Sequence, residues 1–145
     1  MNRPTILHVE DDPNDVVLLE HACRKAGVSC DVKRVADGEE AIAYLAGQDQ
    51  FADRQQFPFP RLVLLDLKMP HLSGFDVLQW RRQNDNMKTI PVVVLSSSNH
   101  DVDLIRAYEL GVNSYLIKPV SFDALVGIVK MLNDYWLQLN RPGPM

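Results

Sequence analysis

The side chains with chemical reach fall in four short stretches: the acidic run Glu10-Asp11-Asp12, the lone acid Asp66 inside "LVLLDLKMP", the hydroxyls Ser96 to Ser98, and the ammonium group of Lys118. Asp66 poses the sharpest question, because the residues around it read as a buried run. An unpaired buried carboxylate is costly, so the group must reach water, accept strong hydrogen bonds or meet a cation. Carboxylates crowded together repel, and such a cluster relaxes by holding a proton or by binding a hard cation. A few oxygen ligands with room left for water suit Mg2+ better than a caged Ca2+. A carboxylate beside a cation, facing a lysine and a hydroxyl, can accept a phosphoryl group as aspartyl phosphate. That reaction asks chiefly for positioning and charge neutralisation.

Each stretch also has a plainer reading when taken alone. Asp12, followed by Pro13, reads as a helix cap. Glu10 and Asp11 could form a solvated strand end, Lys118 a solvated lysine, and the three serines a polar loop. Their joint arrival at one place, which the surrounding elements must arrange, is what points to chemistry.

Four short apolar runs read as strands: "TILHV" from Thr5, "RLVLLD" from Arg61, "PVVVLS" from Pro91 and "SYLI" from Ser114. They are nearly continuous rather than alternating, as in parallel strands covered on both faces. A fifth, "CDVKRV" from Cys30, alternates like an edge strand. Helical patterns separate them. One runs from the Asp12 cap to Gly27, with Val16, Leu19, Cys23 and Ala26 at helical spacing. A second runs from Asp37, with Glu40 completing a capping box, to Gly47, and a third opens at Ser73 with Asp76. A fourth ends at Gly111, and a fifth runs from Ser121 to about Asn140. The alternation predicts an α/β domain with right-handed crossovers, a parallel sheet and helices on both faces. In such sheets ligands bind beyond the carboxyl ends of the strands, which is where all four reactive stretches fall. Only Gln48 to Pro60 is long for a connection; Phe51, Phe57 and Phe59 predict that it docks on the domain.

The composition is ordinary for a globular chain of 145 residues: 46% hydrophobic, 23% charged, net charge -4. One domain is expected. Nineteen acids against 15 basic residues, with no basic block beyond Arg81-Arg82, argue against a nucleic-acid surface. No apolar stretch approaches a membrane span or a signal peptide, so a cytoplasmic location is expected. Cys23 and Cys30 read as small packing residues.

These residues together resemble the response-regulator receiver domains of two-component signalling, across essentially the whole chain. The resemblance rests on Glu10-Asp11, on Asp66 in "LLDLKMPHLSG", on Ser96 closing "VVVLS", on Tyr115 and on Lys118-Pro119. Glu10 stands where aspartate is more usual and Ser96 where threonine is commoner. The resemblance implies a doubly wound (βα)5 flavodoxin-like domain, strand order 2-1-3-4-5, over residues 1–140, with 141–145 a tail and no output domain. It implies that a histidine kinase phosphorylates Asp66, with Mg2+ held by Asp11, Asp66 and the backbone carbonyl of Lys68, and by Glu10 through water. Lys118 and Ser96 would bind phosphoryl oxygens, Ser96 and Tyr115 would act as the switch, and the bond before Pro119 would be cis. Such a protein catalyses only its own phosphotransfer and dephosphorylation. The opening "HVEDDPND", the Gln48 to Pro60 segment and the ending "YWLQLNRPGP" resemble the stand-alone regulators that include partners of bacterial phytochromes. The competing reading is a Mg2+-dependent phosphohydrolase that forms aspartyl phosphate, but such enzymes place a second acid where Lys68 stands.

In the last helix, Leu125, Val129, Leu132 and Trp136 form the stripe expected to face the sheet. Phe122, Val126, Ile128, Met131 and Tyr135 lie off it, where a solvated helix would carry charge. Such a surface predicts a partner, and a homodimer through the fourth-helix and fifth-helix face is the expectation, against packing by the C-terminal tail or an unrelated partner.

Overall fold

The computed structural model describes residues 3–144. Five parallel strands, β1 (Thr5–Val9), β2 (Asp31–Val35), β3 (Leu62–Leu65), β4 (Val92–Ser96) and β5 (Ser114–Ile117), are ordered β2-β1-β3-β4-β5. Between and after them come α1 (Pro13–Ala26), α2 (Gly38–Ala46), α3 (Gly74–Gln83), α4 (Asp101–Glu109) and α5 (Phe122–Leu132).

Successive strand residues point to opposite faces, so the continuous apolar runs divide into two cores. Leu7, Val9, Val63, Leu65, Val92 and Val94 pack with Tyr44, Leu45, Val77, Leu78 and Ala107 of α2, α3 and α4. Ile6, Leu62, Leu64 and Val93 pack with Leu19, Ala22, Leu125, Val129 and Leu132 of α1 and α5. Cys23 and Cys30 belong to this second core as free thiols.

The helix punctuation follows the side chains. Asp12 accepts from the Asn14 amide and Pro13 opens α1, while Gly27 closes it at φ 70°. Ser73 and Asp76 form a reciprocal capping box at the start of α3. After α5 the helical path continues as a π-helix over Asn133–Leu139, so the run extends about as far as its sequence pattern predicts but in a wider winding.

The Gln48 to Pro60 excursion is docked as its aromatics predict. Phe51 packs against Tyr44 with ring centroids 5.1 Å apart, and Phe57 meets Phe51 edge-on at 5.2 Å. Arg54 is the unforeseen part. It donates to the carbonyls of Tyr44 at 2.8 Å and Leu45 at 2.9 Å, supplying the cation that the last turn of α2 lacks.

Two expectations about the C-terminal third need correction. Val126 is buried in the core between α1, α5 and the sheet, and Ile128 is half-buried against the same core. The α1–α5 packing covers a wider sector of α5 than a single helical stripe, which claims both residues. Phe122, Met131 and Tyr135 remain exposed. The Lys118–Pro119 bond is trans, as are all peptide bonds among the described residues. The trans form is the intrinsically favoured isomer even before proline. In it the Lys118 amide still bonds the Ser96 carbonyl at 2.8 Å and the ammonium still reaches the acidic edge.

Candidate functional site

Parallel pairing of β1 with β3 brings the acids together. Val9 lies opposite Leu65, the Asp66 amide donates to the Val9 carbonyl at 3.1 Å, and the Glu10 amide donates to Val35 at 3.0 Å. Strand register thus sets Glu10 beside Asp66, with Asp11 next along the chain. One oxygen from each of Glu10, Asp11 and Asp66 lies within 4.8 Å of the other two.

The question posed by Asp66 is answered by a cation. The Lys118 ammonium stands 2.7 Å from Glu10, 2.8 Å from Asp15 and 3.4 Å from Asp66. Glu10 and Asp66 are buried, so these pairs operate in a medium of low polarity. Burial pushes the Glu10 carboxyl up to about 7; the neighbouring Asp66 adds to this and the Lys118 hydrogen bond opposes it. Burial pulls Lys118 down, but the hydrogen bonds it donates to Asp15 and Glu10 and the field of Asp66 outweigh it and hold the ammonium above its usual value. His8 of β1, two residues before Glu10, is driven down to about 4 by burial and by Lys118, and stays neutral.

The sequence prediction omits Asp15. Asp12 and Pro13 fix the start of α1 and so set Asp15 in its first turn, above the acidic edge; that spacing was the available signal. A small cavity lined by His8, Glu10, Asp15, Leu18, Lys118 and Pro119 adjoins this corner.

On the other side, Ser96 is buried and its Oγ accepts from the Ser98 amide at 3.1 Å. The hydroxyl of half-buried Tyr115 donates to the Ser98 carbonyl at 2.8 Å. Ser98 Oγ bonds Asp103 of α4 at 2.5 Å, and Lys68 lies 3.8 Å from the same carboxylate oxygen. Asp103 is a second residue that the sequence reading leaves out.

Gly74, the first residue of α3, fixes the position of the Asp66 loop. Its amide donates to the Leu67 carbonyl at 3.0 Å, and a β-carbon there would run into the Asp66 carbonyl oxygen and the Leu67 Cα. Since the obstacle is backbone, Gly74→Ala is expected to cost about 1–3 kcal/mol of stability in urea titration.

A family model described as the response regulator receiver domain matches residues 6–130. The chain belongs to that family. It is 41% identical over 140 residues to the probable methanogenesis regulatory protein FilR2 of Methanothrix harundinacea, a match covering 96% of this chain and 88% of FilR2. It is 36% identical over 133 residues to the response regulator Rcp1 of Synechocystis, covering 92% and 88%. The Mn2+-bound form of Rcp1 superimposes with a TM-score of 0.84 at 34% identity, over 97% of this chain and 99% of that one. The phosphorylated cyanobacterial phytochrome response regulator RcpA does so with a TM-score of 0.88 at 35% identity, over 99% and 100%.

As a receiver domain the chain is a signalling module with a phosphoacceptor role, and the acidic cluster is the place where this family holds a divalent metal. The phosphohydrolase alternative is not favoured. Among the described residues no helix is long and apolar enough to cross a membrane.

Proposed function

We propose that this receiver domain, over residues 1–140, takes a phosphoryl group on Asp66 from a sensor histidine kinase of the phytochrome type, in the cytoplasm, and signals through a changed α4–β5–α5 face. The observation that carries the assignment is the meeting of three carboxylates and one ammonium at the carboxyl edge of the sheet.

The donor set fits a hard dication: the three carboxylates present only oxygen, they cluster within 4.8 Å, and the burial of Glu10 and Asp66 makes their mutual repulsion costly. We assign Mg2+, with Asp11, Asp66 and the Lys68 backbone carbonyl as ligands and Glu10 acting through water. Bound there, it would neutralise charge on the acceptor carboxylate and the incoming phosphoryl oxygens. An Asp66 oxygen bonds to phosphorus as the phosphohistidine P–N bond breaks. Lys118, already 3.4 Å from Asp66, turns from its carboxylate partners toward a phosphoryl oxygen. Ser96 exchanges its contact with the Ser98 amide for a hydrogen bond to another, and Tyr115, bound to the Ser98 carbonyl, registers that movement. The domain catalyses only this transfer and its own dephosphorylation, in which water takes the phosphoryl group as inorganic phosphate and the Asp66 carboxylate leaves.

Intact mass after incubation with acetyl phosphate is expected to show a gain of one phosphoryl group with Mg2+ and none with EDTA. Equal incorporation in both would remove the metal from the mechanism.

Homodimerisation belongs to the same proposal. Val102, Ile105 and Tyr108 of α4, Ile117 of β5 and Phe122 and Met131 of α5 are exposed apolar residues around one face. Such a patch favours association with a second copy. Light scattering should give twice the chain mass, and Ile105→Glu should return it to one; a monomer at high concentration would count against the dimer.

A further inference from the structure

Asp103 stands at the centre of a bridge across the mouth of the site, and nothing in the phosphoacceptor chemistry accounts for it. One oxygen of its carboxylate accepts from Ser98 Oγ at 2.5 Å and lies 3.8 Å from the Lys68 ammonium. Lys68 belongs to the loop that carries Asp66, Ser98 to the loop that follows Ser96 at the end of β4, and Asp103 to the first turn of α4. The Ser98 amide is held by Ser96 Oγ, the Ser98 carbonyl by the Tyr115 hydroxyl, and the His100 amide reaches back to Ser98 Oγ at 3.4 Å. One carboxylate therefore ties together the acceptor loop, the hydroxyl loop, the aromatic of β5 and the start of α4.

We propose that Asp103 is a positioning residue that latches Lys68 and the Ser98 loop in the unphosphorylated arrangement and so sets how readily Asp66 is phosphorylated. The inference rests on the phosphoacceptor reading and extends it. A phosphoryl group on Asp66 carries more negative charge than one carboxylate and competes with Asp103 for Lys68. Movement of Ser96 toward that group withdraws the hydroxyl that holds the Ser98 amide. Both ends of the bridge thus release together, and α4 is freed at its first turn. Before phosphorylation, the latch lowers the population of the arrangement in which Ser96 can meet the phosphoryl group. The apparent rate falls by that fraction.

The test compares wild type, Asp103→Ala, Lys68→Glu and the exchanged pair Lys68→Glu/Asp103→Lys. The initial rate of phosphorylation by acetyl phosphate with Mg2+ is expected to rise about three- to tenfold in Asp103→Ala, the scale of a partly exposed ion pair with a charge-assisted hydrogen bond. The exchanged pair should bring the rate back toward wild type relative to Lys68→Glu alone, which a purely structural role for Asp103 would not do. Amide hydrogen exchange in the unphosphorylated proteins reads the latch without the chemistry: Ser98 and His100 should exchange faster in Asp103→Ala and regain protection in the exchanged pair. Wild-type rate and wild-type protection in Asp103→Ala would overturn the latch. A wild type that takes up no phosphoryl group while the exchange pattern holds would overturn the phosphoacceptor reading and keep the latch as a structural bridge.

Discussion

Asp66→Asn is expected to take up no phosphoryl group from acetyl phosphate under conditions where the wild type gains one, and to keep its fold. The amide is nearly the same size as the carboxylate, so the β3 end and the Gly74 contact behind it need not move. What changes is the nucleophile, since a neutral amide oxygen is a poor attacker at phosphorus. The other acids cannot take over: Glu10 is bound by Lys118 at 2.7 Å and by the Asp12 amide at 3.2 Å, and Asp15 by Lys118 at 2.8 Å. The change also removes one charge from a crowded cluster and relieves the part of the Glu10 upward shift that Asp66 causes. The urea midpoint should therefore stay level or rise in metal-free buffer, and a large fall would mean that Asp66 is chiefly a structural acid. The contrast with Asp15→Asn is informative. That variant keeps the acceptor and removes one of the partners of Lys118, so it should still be phosphorylated. A phosphoryl gain retained in Asp66→Asn would place the acceptor elsewhere.

The parts of this site legible in the sequence are those set by backbone periodicity. Strand ends can be read from apolar runs, and parallel strands deliver their ends to one edge, so the sequence alone gathers Glu10, Asp11, Asp66, Ser96 and Lys118. Lys118 against Glu10 and Asp66 follows from that reasoning alone, across sequence separations of 108 and 52 residues. Side-chain partners that depend on where a helix starts in space were harder. Asp15 and Asp103 both sit in first turns, where an acid is equally well explained by the helix dipole, and only the third dimension shows which ones face the site. The α5 surface failed for a related reason. A single stripe underestimates a helix wedged between a sheet and a second helix, and Val126 is claimed by α1. Arg54 and Arg81 gave no signal, because an arginine in a polar stretch, or one of an adjacent pair such as Arg81-Arg82, is nearly always solvated.

Arg81 carries the largest expected effect on stability. It is only 6% exposed and makes no ion pair among the described residues. Its guanidinium is satisfied instead by oxygens that carry no formal charge. Nε and Nη2 donate to the Ile90 carbonyl at 3.0 and 2.7 Å, Nη1 to the Gly111 carbonyl at 3.0 Å, and Nη2 also to Asn113 Oδ1 at 3.3 Å. Burial lowers its proton affinity, yet arginine stays charged under these conditions. One α3 side chain thereby stitches the turn before β4 to the turn between α4 and β5, where Gly111 takes φ 93° and Asn113 also accepts from the Val92 amide at 2.8 Å. Arg81→Met would fill similar volume but leave the Ile90 and Gly111 carbonyls without their donors in a largely dry setting. The expected loss is about 2–4 kcal/mol, seen as a lower urea midpoint at unchanged m. Arg81→Lys should recover little of it, since a compact ammonium cannot span both turns as the planar fork does. The same change should leave the metal requirement for Asp66 phosphorylation intact, because Arg81 lies at the opposite, amino-terminal edge of β4. If the loss were confined to phosphorylation with stability unchanged, Arg81 would be a link in the switch rather than the pin that holds α3, β4 and β5 in register.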